Sequence, residues 1–203
     1  MRKHTELRLE PWTVIVAVVL VALIGFMLSR MGGMKPTEMN AQAMMVQSMN
    51  SVDKALEQVD AALEHTNEAL QTPDLATLQM HIQLAQGALE GQGSAMMNMQ
   101  MMQEMMQGPM MTMAQQGMMG MSMEHHANMM AALQAAQSNM EGALEHFGEA
   151  VKADKLETAQ EHVRLSMDQL QAARGIARST DPKAGGLTYL KEQMTQMMGQ
   201  MKQ

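Results

Sequence analysis

Displaced by 81 residues, this chain matches itself without a gap. Residues 62–89 (ALEHTNEALQTPDLATLQMHIQLAQGAL) and 143–170 (ALEHFGEAVKADKLETAQEHVRLSMDQL) are identical at 12 of 28 positions. The shared positions include Ala-Leu-Glu-His, a Glu-Ala pair three residues after the His, and a second His 16 residues after the first. Two copies of one unit fold as two copies of one supersecondary element, each covering the other's apolar face.

Each copy reads as a helical hairpin. Val52, Leu56, Val59, Leu63, Thr66 and Leu70 step by four and three, an apolar stripe on one helix face. Thr72-Pro73-Asp74 interrupts it, and Leu75, Leu78, Ile82, Ala85 and Leu89 resume the alternation. In the second copy Met140, Leu144, Phe147 and Val151 form one stripe, and Leu156, Ala159, Val163, Ser166 and Leu170 the other. Trp12, Phe26, Phe147 and Tyr189 are the only aromatic residues, too few for a β-sandwich or barrel. The expected class is all-α, with an N-terminal transmembrane helix followed by an antiparallel four-helix bundle made of two duplicated hairpins.

The repeat also aligns chemistry. His65 lies eight residues before Pro73 and His81 eight after it, so an antiparallel hairpin sets them at one height. His146 and His162 repeat that arrangement. Glu68 and Glu149 follow His65 and His146 by three residues, on the same helix face. Two imidazoles and one carboxylate suit Cu(II), Zn(II) or another divalent ion. The bland alternative is that these are solvated or hydrogen-bonded flank histidines carried along by duplication.

Methionine supplies 31 of 203 residues. Fourteen fall in a connector between the copies: Met96, Met97, Met99, Met101, Met102, Met105, Met106, Met110, Met111, Met113, Met118, Met119, Met121 and Met123. His125, His126, Met129 and Met130 follow at once, with His126 and Met129 one turn apart. Smaller clusters are Met39, Met44, Met45 and Met49 before the hairpins, and Met194, Met197, Met198 and Met201 after them. A thioether is neutral, needs no deprotonation, and prefers Cu(I) and Ag(I) to harder ions. The connector is expected to extend the flanking helices to a mobile tip near Gly108-Pro109. Competing readings are core packing, low-complexity expansion, an apolar partner surface and an oxidant sink.

The motif Ala62-Leu-Glu-His65-x-x-Glu68-Ala, a short turn, and His81 resembles the periplasmic small metal-binding protein family, duplicated His-containing hairpins that form four-helix bundles. That resemblance implies copper or other divalent-metal binding. The connector, with His126-x-x-Met129, is similar to the Met-rich silver- and copper-binding periplasmic proteins of metal-resistance systems.

Residues 12–28 carry no charge and would extend roughly 25 Å as a helix. Arg2, Lys3 and Arg8 precede them, so the positive-inside rule puts the N-terminus in the cytoplasm. No small-x-small cleavage site follows. The expectation is a single-pass bacterial inner-membrane protein, anchored through one helix, with residues 31–203 in the periplasm. The organisation is then a tail (1–11), an anchor (12–29), a first hairpin (37–90), the Met-rich connector (91–125), a second hairpin (126–178) and a C-terminal helix (179–203).

A net charge of −7 argues against nucleic acid as partner. Gly91-x-Gly93 lacks the third glycine of a phosphate loop, and neither Gly-x-Ser-x-Gly nor His-Glu-x-x-His occurs. The expected function is therefore not enzymatic. It is buffering, storage or transfer of Cu(I) or Ag(I) through methionine clusters, with a His site in the bundle and a cuproenzyme or efflux complex as recipient. A bundle of this kind can also dimerise through its Met faces. The first alternative is a helical scaffold whose Met-rich arm grips apolar partners. The second is a di-metal carboxylate protein, disfavoured because the order here is His-x-x-Glu rather than Glu-x-x-His.

Overall fold

A computed structural model describes residues 36–117 and 121–200. By its contacts the chain divides after Asn40, and the fold below belongs to the unit Ala41–Gln203. Every regular element among the described residues is helical: α1 (Pro36–Gln71), α2 (Leu75–Leu89), α3 (Ala95–Met105), a π-helical turn (Met106–Met110), α4 (Met111–Gln115), α5 (Met123–Lys152), α6 (Leu156–Arg174) and α7 (Pro182–Gln200).

The helix starts follow local chemistry. Asp74 accepts the Thr77 N–H at 2.8 Å and opens α2 directly after Pro73. Ser94 caps α3 through the Met97 N–H, and Ser122 caps α5 through the His125 N–H. Between α3 and α4 stands Pro109, which has no N–H to donate. The backbone widens there, and Met111 N–H reaches the Met106 carbonyl five residues back. Gly108-Pro109, expected as the meeting point of two helices, is thus absorbed as a bulge within one rod.

The buried faces differ from the expected stripe in one respect. Val52, Val59 and Thr66 are fully buried on α1, but Leu56, Leu63 and Leu70 are only partly so; Ala55, Ala62 and Ala69 are fully buried as well. The second hairpin repeats this: Ala143 and Ala150 are fully buried beside Met140 and Phe147, while Leu144 and Val151 lie at the margin. Small side chains let helix axes approach closely, and the larger leucines then seal the edges.

α5 packs along α6 and α7 and also meets α2, α3 and α4. Gln79 on α2 donates to the Val151 carbonyl at 2.8 Å, tying the first hairpin to the end of α5. The α1 carboxylates Asp60 and Asp53 hold Arg174 at 2.6 Å and Lys191 at 2.8 Å. α7 reaches the bundle through a backbone crossing. A Cβ on Gly175 (φ +84°) would lie 1.9 Å from the Gly185 carbonyl oxygen. One on Gly186 (φ +49°) would lie 2.5 Å from that of Ala173.

The membrane placement is corrected. Among the described residues no helix is long and apolar enough to cross a membrane. The long helices are amphipathic; α1 alone carries Asp53, Lys54, Glu57, Asp60, Glu64 and Glu68. Residues 12–28, on which the single-pass inner-membrane expectation rested, lie outside the described residues.

Candidate metal centre

α1 and α2 reverse at Thr72-Pro73-Asp74, and two turns of helix on each side bring His65 and His81 level. Their ring centroids are 6.2 Å apart, tilted by 35°. Glu68, one turn after His65, reaches between them. His65 Nδ1 lies 2.9 Å from Glu68 Oε2, and His81 Nδ1 lies 3.1 Å from the same oxygen. One donor atom from each residue falls within 4.8 Å of the other two.

The cluster sits on the rim of the bundle: the Glu68 side chain is 45% exposed, that of His65 32% and that of His81 19%. The hydrogen bond from His65 is the largest influence on the Glu68 carboxyl; desolvation opposes it, and the charges of both histidines help to hold the group below its ordinary 4.5. Without a metal, a ring proton bridges imidazole and carboxylate. A dication entering the cluster takes the place of that proton.

The second hairpin brings His146 and His162 together in the same way, with ring centroids 5.8 Å apart and tilted by 33°. Its carboxylate behaves differently. Glu149 accepts from Lys152 at 3.1 Å, whereas the corresponding position after Glu68 is the neutral Gln71. His162 Nδ1 is buried and has no hydrogen-bond partner among the described residues, as is also true of His81 Nδ1 in the first pair.

The methionines of the connector divide between core and surface. Met99, Met102, Met106, Met110 and Met113 are buried along α3, the π turn and α4, and Met121 and Met129 join the same core. Met97, Met101 and Met123 are exposed; Met96, Met105, Met111 and Met130 are half-buried. Met118 and Met119 lie outside the described residues. Ser48 Oγ donates toward Met105 Sδ at 3.4 Å and Met110 Sδ at 3.9 Å. No spacing in the sequence reveals that contact, because Ser48 is 57 residues from Met105.

His126 is buried and donates from Nε2 to the Met106 carbonyl at 2.8 Å. That nitrogen serves the bulge rather than Met129. Its neighbour His125 buries Nε2 without a partner among the described residues, and burial lowers its pKa from the ordinary 6.5. No protein-family model, curated protein or solved structure matches this chain.

Proposed function

We propose that this chain is a non-enzymatic metal-binding protein built from two copies of a helical hairpin. Its His65–Glu68–His81 cluster takes a divalent ion such as Cu(II) or Zn(II). The Met-rich stretch takes Cu(I) or Ag(I), and the protein buffers, stores or hands on copper to a metalloenzyme or efflux system. The observation that carries this reading is the meeting of two imidazoles and one carboxylate from two helices, with donor atoms within 4.8 Å. Nitrogen and oxygen donors in that number fit borderline divalent ions and leave positions open for water or exchange. The resemblance to the periplasmic small metal-binding family runs in the same direction.

Soft-metal handling is supported by the methionines that reach solvent. Met97 is 45% exposed, Met101 39% and Met123 45%. Met96 and Met97 line an open groove of about 510 Å³ with Ser94, Gln100, Gln103 and Gln137. That groove equally suits the alternative of an apolar partner gripping the arm. The two separate on Met→Leu substitution at 96, 97, 101 and 123. Leucine keeps apolar character and volume, so partner binding survives it while thioether coordination does not. A di-metal carboxylate protein finds less support, because the cluster among the described residues holds a single carboxylate.

The test is calorimetric titration of the full chain with Zn(II) and Cu(II), beside Glu68→Gln and His65→Ala/His81→Ala. One divalent equivalent is expected in the parent and its loss in the double variant. Glu68→Gln should weaken binding by at least the 10–100-fold typical of disturbed metal surroundings. Undiminished divalent binding in the double variant overturns the site.

A further inference from the structure

The two histidine pairs share a height, a ring separation and a helical frame, but not a charge. Glu68 stands between His65 and His81. Glu149, its counterpart, is turned to Lys152, so His146 and His162 face each other without a carboxylate contact among the described residues. Two imidazoles that share one ion through metal–nitrogen bonds of about 2.0 Å have ring centroids about 5–6.5 Å apart. Both pairs, at 6.2 and 5.8 Å, meet that requirement.

We infer that His146 and His162 form a second metal site, selective for a soft monocation, Cu(I) or Ag(I), while His65–Glu68–His81 takes the dication. Net charge separates the two seats. A dication on two imidazoles and one carboxylate leaves one net positive charge at the rim. A monocation on two neutral imidazoles leaves the same single charge. A dication on the second pair would leave two, since the Glu149 carboxylate is paired with Lys152 and not with the imidazoles. Monovalent d10 ions are satisfied by as few as two donors, so the pair needs no third ligand. His162 Nδ1, buried and unpartnered, is the atom such an ion would satisfy.

Small residues frame the seat. Ala143 and Ala150 lie one turn on either side of His146, and Ala159 and Ser166 do the same for His162. Ser166 donates to the Ala143 carbonyl at 3.1 Å across the two helices, which fixes α6 against α5 at this level. The inference stands apart from the methionine reading, since it uses none of the connector.

The experiment follows imidazole nitrogens by NMR in the full chain labelled at histidine, titrated to saturation with silver nitrate and, separately, with zinc chloride. Ag(I) is expected to move the His146 and His162 resonances together, and Zn(II) to move those of His65 and His81. Lys152→Gln frees Glu149 and should bring His146 and His162 into the zinc response; Lys152 is 73% exposed, so the fold tolerates the change. Gln71→Lys should draw Glu68 away and weaken zinc at the first pair several-fold. His146 and His162 unmoved by Ag(I) overturns the site, even if the methionines take up silver. Zinc moving both pairs alike in the parent protein overturns the selectivity, and a Lys152→Gln variant that gains no zinc response removes the carboxylate as its cause.

Discussion

His126 Nε2 and the Met106 carbonyl, 20 residues apart and 2.8 Å from each other, join the start of α5 to the bulge that Pro109 forces on the methionine rod. The carbonyl also accepts Met111 N–H, so the histidine supplies its second bond. Replacing His126 with Phe buries that oxygen with one partner fewer and should cost about 1–3 kcal/mol. Urea unfolding of the full chain measures this. Zinc affinity at His65–Glu68–His81 should be unchanged in the same variant, which separates a structural histidine from a ligand.

Acid should weaken the fold in two steps. His125 has its pKa lowered by burial, so the folded state resists protonating it. Its contribution is present above the ordinary value of 6.5 and is lost as pH falls through the lower folded value. Glu68, also lowered, follows at more acidic pH: its contribution is present above 4.5 and lost as pH falls through its folded value. A carboxyl NMR titration should place the Glu68 midpoint below 4.5, and His65→Phe should move it upward, because the His65 hydrogen bond is the largest cause. A midpoint unmoved by His65→Phe would refute that cause.

Much of this arrangement was readable from the residues, and the reasons for the rest are physical. The level pairing of His65 with His81, and of His146 with His162, follows from counting whole helical turns out from each reversal. Of the expected α1 stripe, Val52, Val59 and Thr66 are fully buried, while Leu56, Leu63 and Leu70 pack against the margin of the core. Hydrophobicity ranks Leu56, Leu63 and Leu70 above Ala55, Ala62 and Ala69, but close packing of two helix axes favours the alanines. Glu149 pairs with Lys152, where the first copy has the neutral Gln71, a difference that lies outside the identical positions. The role of His126 depends on a carbonyl brought near by a π turn, which helix-period reasoning does not anticipate.

The methionines should divide by burial under mild peroxide. Met97 and Met123, each 45% exposed, should form sulfoxide well before the fully buried Met99, Met102 and Met106. Peptide mass spectrometry reads this directly. Met102→Ala should cost about 2–5 kcal/mol by leaving a cavity, whereas Met102→Leu should cost less than about 1.5 kcal/mol. Equal oxidation rates at Met97 and Met102 would contradict the burial described here.

At the crossing of α6 and α7, Gly175→Ala or Gly186→Ala should destabilise strongly. Each sits at positive φ, where a side chain costs about 1–3 kcal/mol, and each Cβ would press into backbone oxygen. Gly87→Ala, which meets nothing within 4 Å, is the control and should be neutral or slightly stabilising. Thermal melts of the three variants suffice.

The alanines at 62 and 69 stand one turn before and one turn after His65, and those at 143 and 150 do the same for His146. Small buried side chains let helix axes approach closely, and the ring centroids of the two pairs lie only 6.2 and 5.8 Å apart beside these alanines. The spacing of each imidazole pair thus depends on residues with no donor atoms at all. A bulkier residue at 62 or 143 would widen the gap between the rings while every histidine kept its place in the sequence.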